Sequence, residues 1–214
     1  MNKTIKTVIA TLLTISLMSC AACSKNDPDA SVLGASKESE TTEATTTTNK
    51  QETTIQYSQI RGSYNGNSCT YNNPNSGLTI TTPEGWSWLN ATETSAFWNN
   101  DDCIRTDDDI LQFNDIAYES VWKAANGDYM SVMIMYAPGA SESDYSAVLG
   151  VDTFDTVKLG DKDISVSYGS YMVDDSEIKT ATIINYNNDT MTVVTINCLT
   201  DEDVEATMSN ISFN

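Results

Sequence analysis

In the segment Tyr129-Met-Ser-Val-Met-Ile-Met-Tyr136, bulky apolar side chains occupy both odd and even positions. Successive side chains of a strand point to opposite faces, so Met130, Val132, Ile134 and Tyr136 share one face, with Tyr129, Met133 and Met135 on the other. A strand that is apolar on both faces belongs in the middle of a sheet covered on both sides. Asn126-Gly127, a strong turn pair, joins it to Glu119-Ser-Val-Trp-Lys-Ala-Ala125 as a hairpin. Methionines of this density suit either an adaptable groove or a core, and core filling is the expectation here.

The end of the chain repeats the pattern. Val193, Thr195, Asn197 and Leu199 share one face of a run over 191–199, while Val194, Ile196 and Cys198 share the other, another mid-sheet strand with Cys198 as a small core residue. Before it, residues 154–159 turn at Gly160-Asp161 into 164–173, and residues 178–186 turn at Asn187-Asn188-Asp189 into the final strand. Thr200-Asp-Glu-Asp203 opens a closing helix, acids being favourable at its N-terminal dipole, with Val204, Met208 and Ile211 as its apolar stripe. Pro138-Gly139 breaks the sheet after residue 136, and Ser141-Glu-Ser-Asp144 has the form of a capping box before Tyr145, Val148 and Leu149 at helical spacing.

Toward the front, Asn65-Gly66 predicts a two-residue hairpin within residues 60–71, and a turn over 72–77 leads into Gly77-Leu-Thr-Ile-Thr-Thr-Pro-Glu-Gly-Trp86. Leu78 and Ile80 alternate with threonines, and Pro83-Glu84-Gly85 ends the strand. A short helix is expected over 92–98 with Phe97 and Trp98 inward, and a further helical turn over 110–113. Strands, a helical stretch, a long hairpin and more strands with a closing helix amount to an α+β chain, an antiparallel sheet with helices packed on it.

The first 56 residues stand apart. Lys3 and Lys6 precede an apolar run over 7–18 that is too short to span a bilayer, the form of an export signal. Leu17-Met18-Ser19-Cys20 resembles the bacterial lipobox, with Cys20 as the lipid-bearing residue, Cys23 as the alternative, and ordinary secretory cleavage near Ala22 as a third reading. The expected division is a signal over 1–19, a Ser/Thr/Glu-rich tether over 20–56 and a folded domain over 57–214. The tether carries Thr45-Thr-Thr-Thr48 and scarcely a large apolar residue beyond Val32 and Leu33, a composition that cannot offset ordering entropy. Removing residues 1–19 deletes two lysines and no acid, taking the formal charge from -19 to -21. Such a chain is repelled by anionic headgroups, so its expected hold on the outer face of the cytoplasmic membrane is the lipid alone.

With 30 Asp+Glu against 11 Lys+Arg, the chain lacks the basic face that a nucleic-acid partner requires. It has no histidine, which excludes Ser-His-Asp and Cys-His nucleophiles and histidine zinc sites within the chain, and no cofactor motif is present. Asp101, Asp102, Asp107, Asp108 and Asp109 gather near Cys103; calcium wants such oxygens, but EF-hand spacing is absent and a solvated acidic loop is the plainer reading. Cys69, Cys103 and Cys198 allow at most one bridge among themselves.

The layout, with the strand of residues 77–81, Pro83-Glu-Gly-Trp86 and a short amphipathic helix at the end, resembles the PsbP-like family over roughly residues 62–213. That family includes photosystem extrinsic subunits, a Ran-binding nuclear import factor and many bacterial envelope lipoproteins. The resemblance implies a three-layer α/β/α sandwich around a mainly antiparallel sheet, and binding rather than catalysis. It carries over no functional residue, and the aspartate-rich stretch between Asn99 and Asp115 departs from a minimal member.

The leading expectation is therefore a lipid-anchored, non-catalytic binding or assembly domain in a bacterial envelope, its partner an envelope protein or extracellular ligand. A second is carbohydrate or small-ligand binding by exposed aromatics, with Trp86, Trp98 and Trp122 as candidates against a core role for all three. A third is hydrolysis by a pair of carboxylates, for which thirty acids supply no assignable pair.

Overall fold

The computed structural model describes residues 54–112, 115–141, 144, 151, 153–187 and 189–214. The signal, nearly all of the tether, Phe113 and the stripe of Tyr145, Val148 and Leu149 lie outside the described residues. At the head of that stripe the cap contacts are in place, because the Asp144 carboxylate accepts the Ser141 N–H at 2.8 Å and its hydroxyl at 2.6 Å.

In chain order the elements are β1 (Ile55–Gln56), β2 (Ser63–Asn65), β3 (Thr70–Asn73), β4 (Leu78–Thr81), β5 (Trp86–Leu89), α1 (Ala91–Trp98), β6 (Ile110–Leu111), β7 (Asp115–Ala124) and β8 (Tyr129–Tyr136). They continue as β9 (Asp155–Leu159), β10 (Lys162–Val173), β11 (Ser176–Asn187), β12 (Thr190–Cys198), α2 (Asp201–Met208) and β13 (Ile211–Phe213). The chain is α+β with antiparallel strand pairing throughout its ladders: a seven-stranded sheet in the order β5-β7-β8-β12-β11-β10-β9, a four-stranded sheet β13-β4-β3-β2 and a two-stranded β1-β6.

β8 and β12 are neighbours at the middle of the large sheet, and all eight residues of β8 are buried. On one face Met130, Val132, Val194, Ile196 and Cys198 meet Leu78, Ile80 and Phe213 of the small sheet together with Val204 and Met208 of α2. On the other, Met133, Met135, Met191 and Val193 meet Trp98 and Phe97 of α1 and the stretch carrying Cys103 and Ile104. A third cluster joins Ile134 and Tyr136 to Tyr57, Ile60 and Leu111. The two-sided cover demanded by residues 129–136 is thus present, supplied on one side mainly by a second sheet.

Four local expectations give way to longer-range pairing. Ile110–Leu111 is a strand, since Leu111 lies opposite Ile55 and Ile110 opposite Gln56, and a β-branched residue with a partner strand overrides a short apolar run. β1 also starts two residues before the expected domain boundary at 57. Ile211 is not on the closing helix: α2 ends at Met208 and Ile211 heads β13, opposite Ile80. Asn65-Gly66 does not form a two-residue hairpin, because Asn65 pairs with Thr70 across a four-residue loop whose left-handed residue is Cys69, at φ 52°.

Pro83-Glu84-Gly85 does more than end a strand, for β4 belongs to the small sheet and β5 to the edge of the large one. Gly77 (φ +76°) is confined by the chain's other end, since a Cβ there would come within 2.3 Å of the Asn214 carbonyl oxygen. α1 is closed by a capping box in which Asn90 Oδ1 accepts the Glu93 N–H at 3.1 Å and the Glu93 carboxylate accepts the Asn90 N–H at 2.9 Å. The thiols of Cys69, Cys103 and Cys198 are all free.

Candidate functional site

The register of β7 against β8 shifts between Tyr118 and Ser120, leaving Glu119 as the extra residue of a β-bulge. A bulge re-aims side chains and exchanges the faces of the positions after it. Ala117 and Trp122 accordingly lie on one side of the sheet, Tyr118 and Val121 on the other. Glu119 is turned toward the small sheet, where its carboxylate accepts the Gly62 N–H, the Tyr71 hydroxyl and, at 3.5 Å, Asn73 Nδ2. Gly62 has to be glycine, because a Cβ would meet the Tyr71 hydroxyl at 2.4 Å and the Asn72 carbonyl at 2.7 Å.

Burial raises the Glu119 carboxyl from 4.5 to about 7, outweighing the lowering effects of Gly62, Tyr71, Asn73 and Arg61. Burial, and then the nearby Glu119, raise the hydroxyls of Tyr57 and Tyr71, which stay protonated donors at any physiological pH.

These groups line a cleft of about 190 Å3 that opens between β2, β5, β7 and the loop before β6. Its walls include Arg61, Arg105, Trp88, Ile104, Tyr118 and Glu119. Trp88 is stacked on Tyr64 with centroids 4.4 Å apart and planes 11° apart, and it donates Nε1–H to Ser120 Oγ at 3.3 Å. Arg61 pairs with Asp107, and Arg105 Nη2 reaches Asp115 at 3.6 Å. Among the described residues the buried Nε–H of Arg105 has no partner. The cleft can hold a small molecule in an aromatic setting with arginine donors and one carboxylate of tunable charge.

The candidates named from sequence are dispersed. Trp122 is fully buried, donating Nε1–H to Thr82 Oγ1 at 3.1 Å. Trp98 is buried and stacked on Tyr118 at 4.6 Å. Both are therefore corrected from ligand candidates to core. Trp86 is half-buried and lines an open groove of about 560 Å3 with Glu84, Asn126, Asp128, Asp203 and Thr207. Asp128 is occupied there, accepting the Leu199 N–H at 3.1 Å and Asn126 Nδ2 at 2.8 Å.

Among the five aspartates of the acidic stretch, Asp101 accepts the Ser95 hydroxyl, Asp107 pairs with Arg61, and Asp109 accepts the Thr106 N–H. The Asp102 N–H bonds Asn100 Oδ1 at 3.0 Å. Among the described residues no three His, Cys, Asp or Glu side chains converge as a metal-holding group. Cys198 is enclosed and its thiol pushed up to about 12 by burial, then by Asp128, as suits a core residue.

Sequence reasoning missed Glu119, Arg61, Arg105 and Trp88. Nothing in the order of residues 115–124 marks the bulge; the one available signal was a carboxylate between the apolar runs Ile116-Ala-Tyr118 and Val121-Trp122. No family profile and no curated protein matches this chain. A crystal structure of a Bacteroides thetaiotaomicron VPI-5482 protein is similar at 8% identity and a TM-score of 0.42, over 68% of this chain and 48% of that one, so the match spans about half of that protein's length.

Proposed function

We propose that this chain is a lipid-anchored, extracytoplasmic binding domain without catalytic chemistry, and that the cleft around Glu119 is its ligand site. The observation that carries the reading is the cleft itself, a small recess where a carboxylate, arginines and aromatic rings converge on a bulged strand. Glu119 is the single carboxylate among its lining residues, whereas glycoside hydrolysis calls for two. We also propose a PsbP-like α/β/α architecture, from the motif over 77–86 and from α1 and α2 packing into opposite faces of the large sheet, with the small sheet sharing the α2 face. Anchoring at Cys20 rests on the lipobox and on an acidic chain with no electrostatic hold on a membrane.

The anchor is tested by Cys20→Ala in a bacterial host that lipidates envelope proteins. The variant is expected in the soluble extracytoplasmic fraction, and its persistence with membranes would refute anchoring at Cys20. The site is tested by titrating small-molecule probes into the full chain, as set out below. A second reading, carbohydrate binding, draws on Trp86, which keeps part of its ring at the open groove. Retardation of the full chain on immobilised polysaccharide, lost in Trp86→Ala, would favour that reading over the cleft.

A further inference from the structure

Arginines are concentrated in the cleft beyond their share of the chain. Thirty acids outnumber eleven bases overall, yet the lining holds two arginines and one carboxylate. The acids paired with those arginines, Asp107 and Asp115, stand at the solvent side, 63% and 41% exposed. Arg105 meanwhile leaves its buried Nε–H without a partner among the described residues. A guanidinium is a binding element for a planar pair of oxygens, and one that is mostly buried gains more from an incoming acceptor than an exposed one. Trp88, Leu89, Ala91 and Ile104 supply an apolar wall beside it. The volume of about 190 Å3 equals that of roughly six waters at liquid density, enough for one ring with a short substituent.

We propose that the cleft binds a small organic carboxylate, its oxygens held by the Arg105 guanidinium and its apolar body against Trp88. This rests on the cleft being the ligand site and names the class of ligand. A monoanion fits better than a dianion such as phosphate, because Asp107 and Asp115 already balance the two arginines, leaving no net positive charge for a second negative one. Binding is also coupled to pH. The groups facing Glu119 are Arg61 and the hydroxyls of Tyr57 and Tyr71, with Arg105 and Tyr118 further along the lining; of these Glu119 changes charge near neutrality. Protonating it removes a repulsion from an incoming anion.

Calorimetric titration of the full chain, purified in detergent, with benzoate, benzamide, benzylamine and inorganic phosphate at pH 6 and pH 8 tests the inference. Benzoate is expected to bind about tenfold or more tighter than benzamide, the scale of one hydrogen bond to a charged donor. It should also bind more tightly at pH 6 than at pH 8, and Glu119→Gln should flatten that difference. Arg105→Gln should remove benzoate binding and Arg105→Lys retain part of it, with thermal unfolding verifying that each variant folds. In the wild-type chain the nitrogen resonance of Arg105 Nε should move on adding benzoate, a readout that needs no variant. Benzamide or benzylamine binding as tightly as benzoate, or phosphate binding more tightly, would overturn the carboxylate assignment and leave the cleft as a ligand site. Absence of heat with all four probes would overturn both.

Discussion

Glu119 ties the two sheets together through Gly62, Tyr71 and Asn73, and it does so at a cost when charged. An acid whose proton affinity is higher in the folded chain contributes its full stability below the unfolded value of 4.5 and loses it as pH rises through about 7. At 1.36 kcal/mol per tenfold change in proton affinity, that gap amounts to roughly 3 kcal/mol on the alkaline side. Glu119→Gln keeps an acceptor for the Gly62 N–H without the charge. It is therefore expected to unfold at higher temperature than the wild type at pH 8 and at nearly the same temperature at pH 5. Melting curves across that range check this, and a constant difference between the two proteins would contradict it. Repulsion among the remaining acids lowers the stability of both proteins with rising pH, so the difference between them is the informative quantity.

The elements differ in how much of their support is local. α1 is specified within its own sequence: Asn90 and Glu93 satisfy each other's backbone, and Trp98 anchors the last turn. Asn90→Ala should cost about 1 kcal/mol in chemical denaturation, the usual worth of such a cap. Because α1 covers the Met133 and Met135 face, the loss should appear in global unfolding rather than in helix fraying alone. β8 and β12 were legible for a different reason, since apolar side chains on both faces permit only a central position. The turns at Gly160-Asp161 and Asn126-Gly127 were legible because glycine at positive φ stands in both, at 70° and 105°. What the sequence hid depends on partners far away along the chain. Ile110 becomes a strand because Gln56 lies beside it, Ile211 because Ile80 does, and the cleft exists because one residue too many on β7 turns Glu119 toward β3. Trp86, Trp98 and Trp122 are indistinguishable by type; only the sheets separate the one at a groove from the two in the core.

For the molecule as a whole, closure of the main core depends on its last strand. β13 covers Leu78 and Ile80 from the side, Phe213 is fully buried, and the Asn214 N–H bonds the Gly77 carbonyl at 3.1 Å. Deleting residues 211–214 should expose that core and leave a chain that binds a hydrophobic dye at 25 °C and lacks a cooperative melting transition. A sharp, native-like transition would show instead that the small sheet stands without its edge. The same strand bears on timing. Four of the ten ladders among the described residues, β1-β6, β5-β7, β8-β12 and β4-β13, join strands distant in sequence, and Ile80 waits for Ile211, so closing these long loops should slow folding. Until residue 213 is available, the Met130 and Val132 face lacks Phe213 and the edge that β13 adds to β4. Were the chain exported as proposed above, a core completed only by β13 would suit it to a narrow secretory pore, which demands a loose cargo.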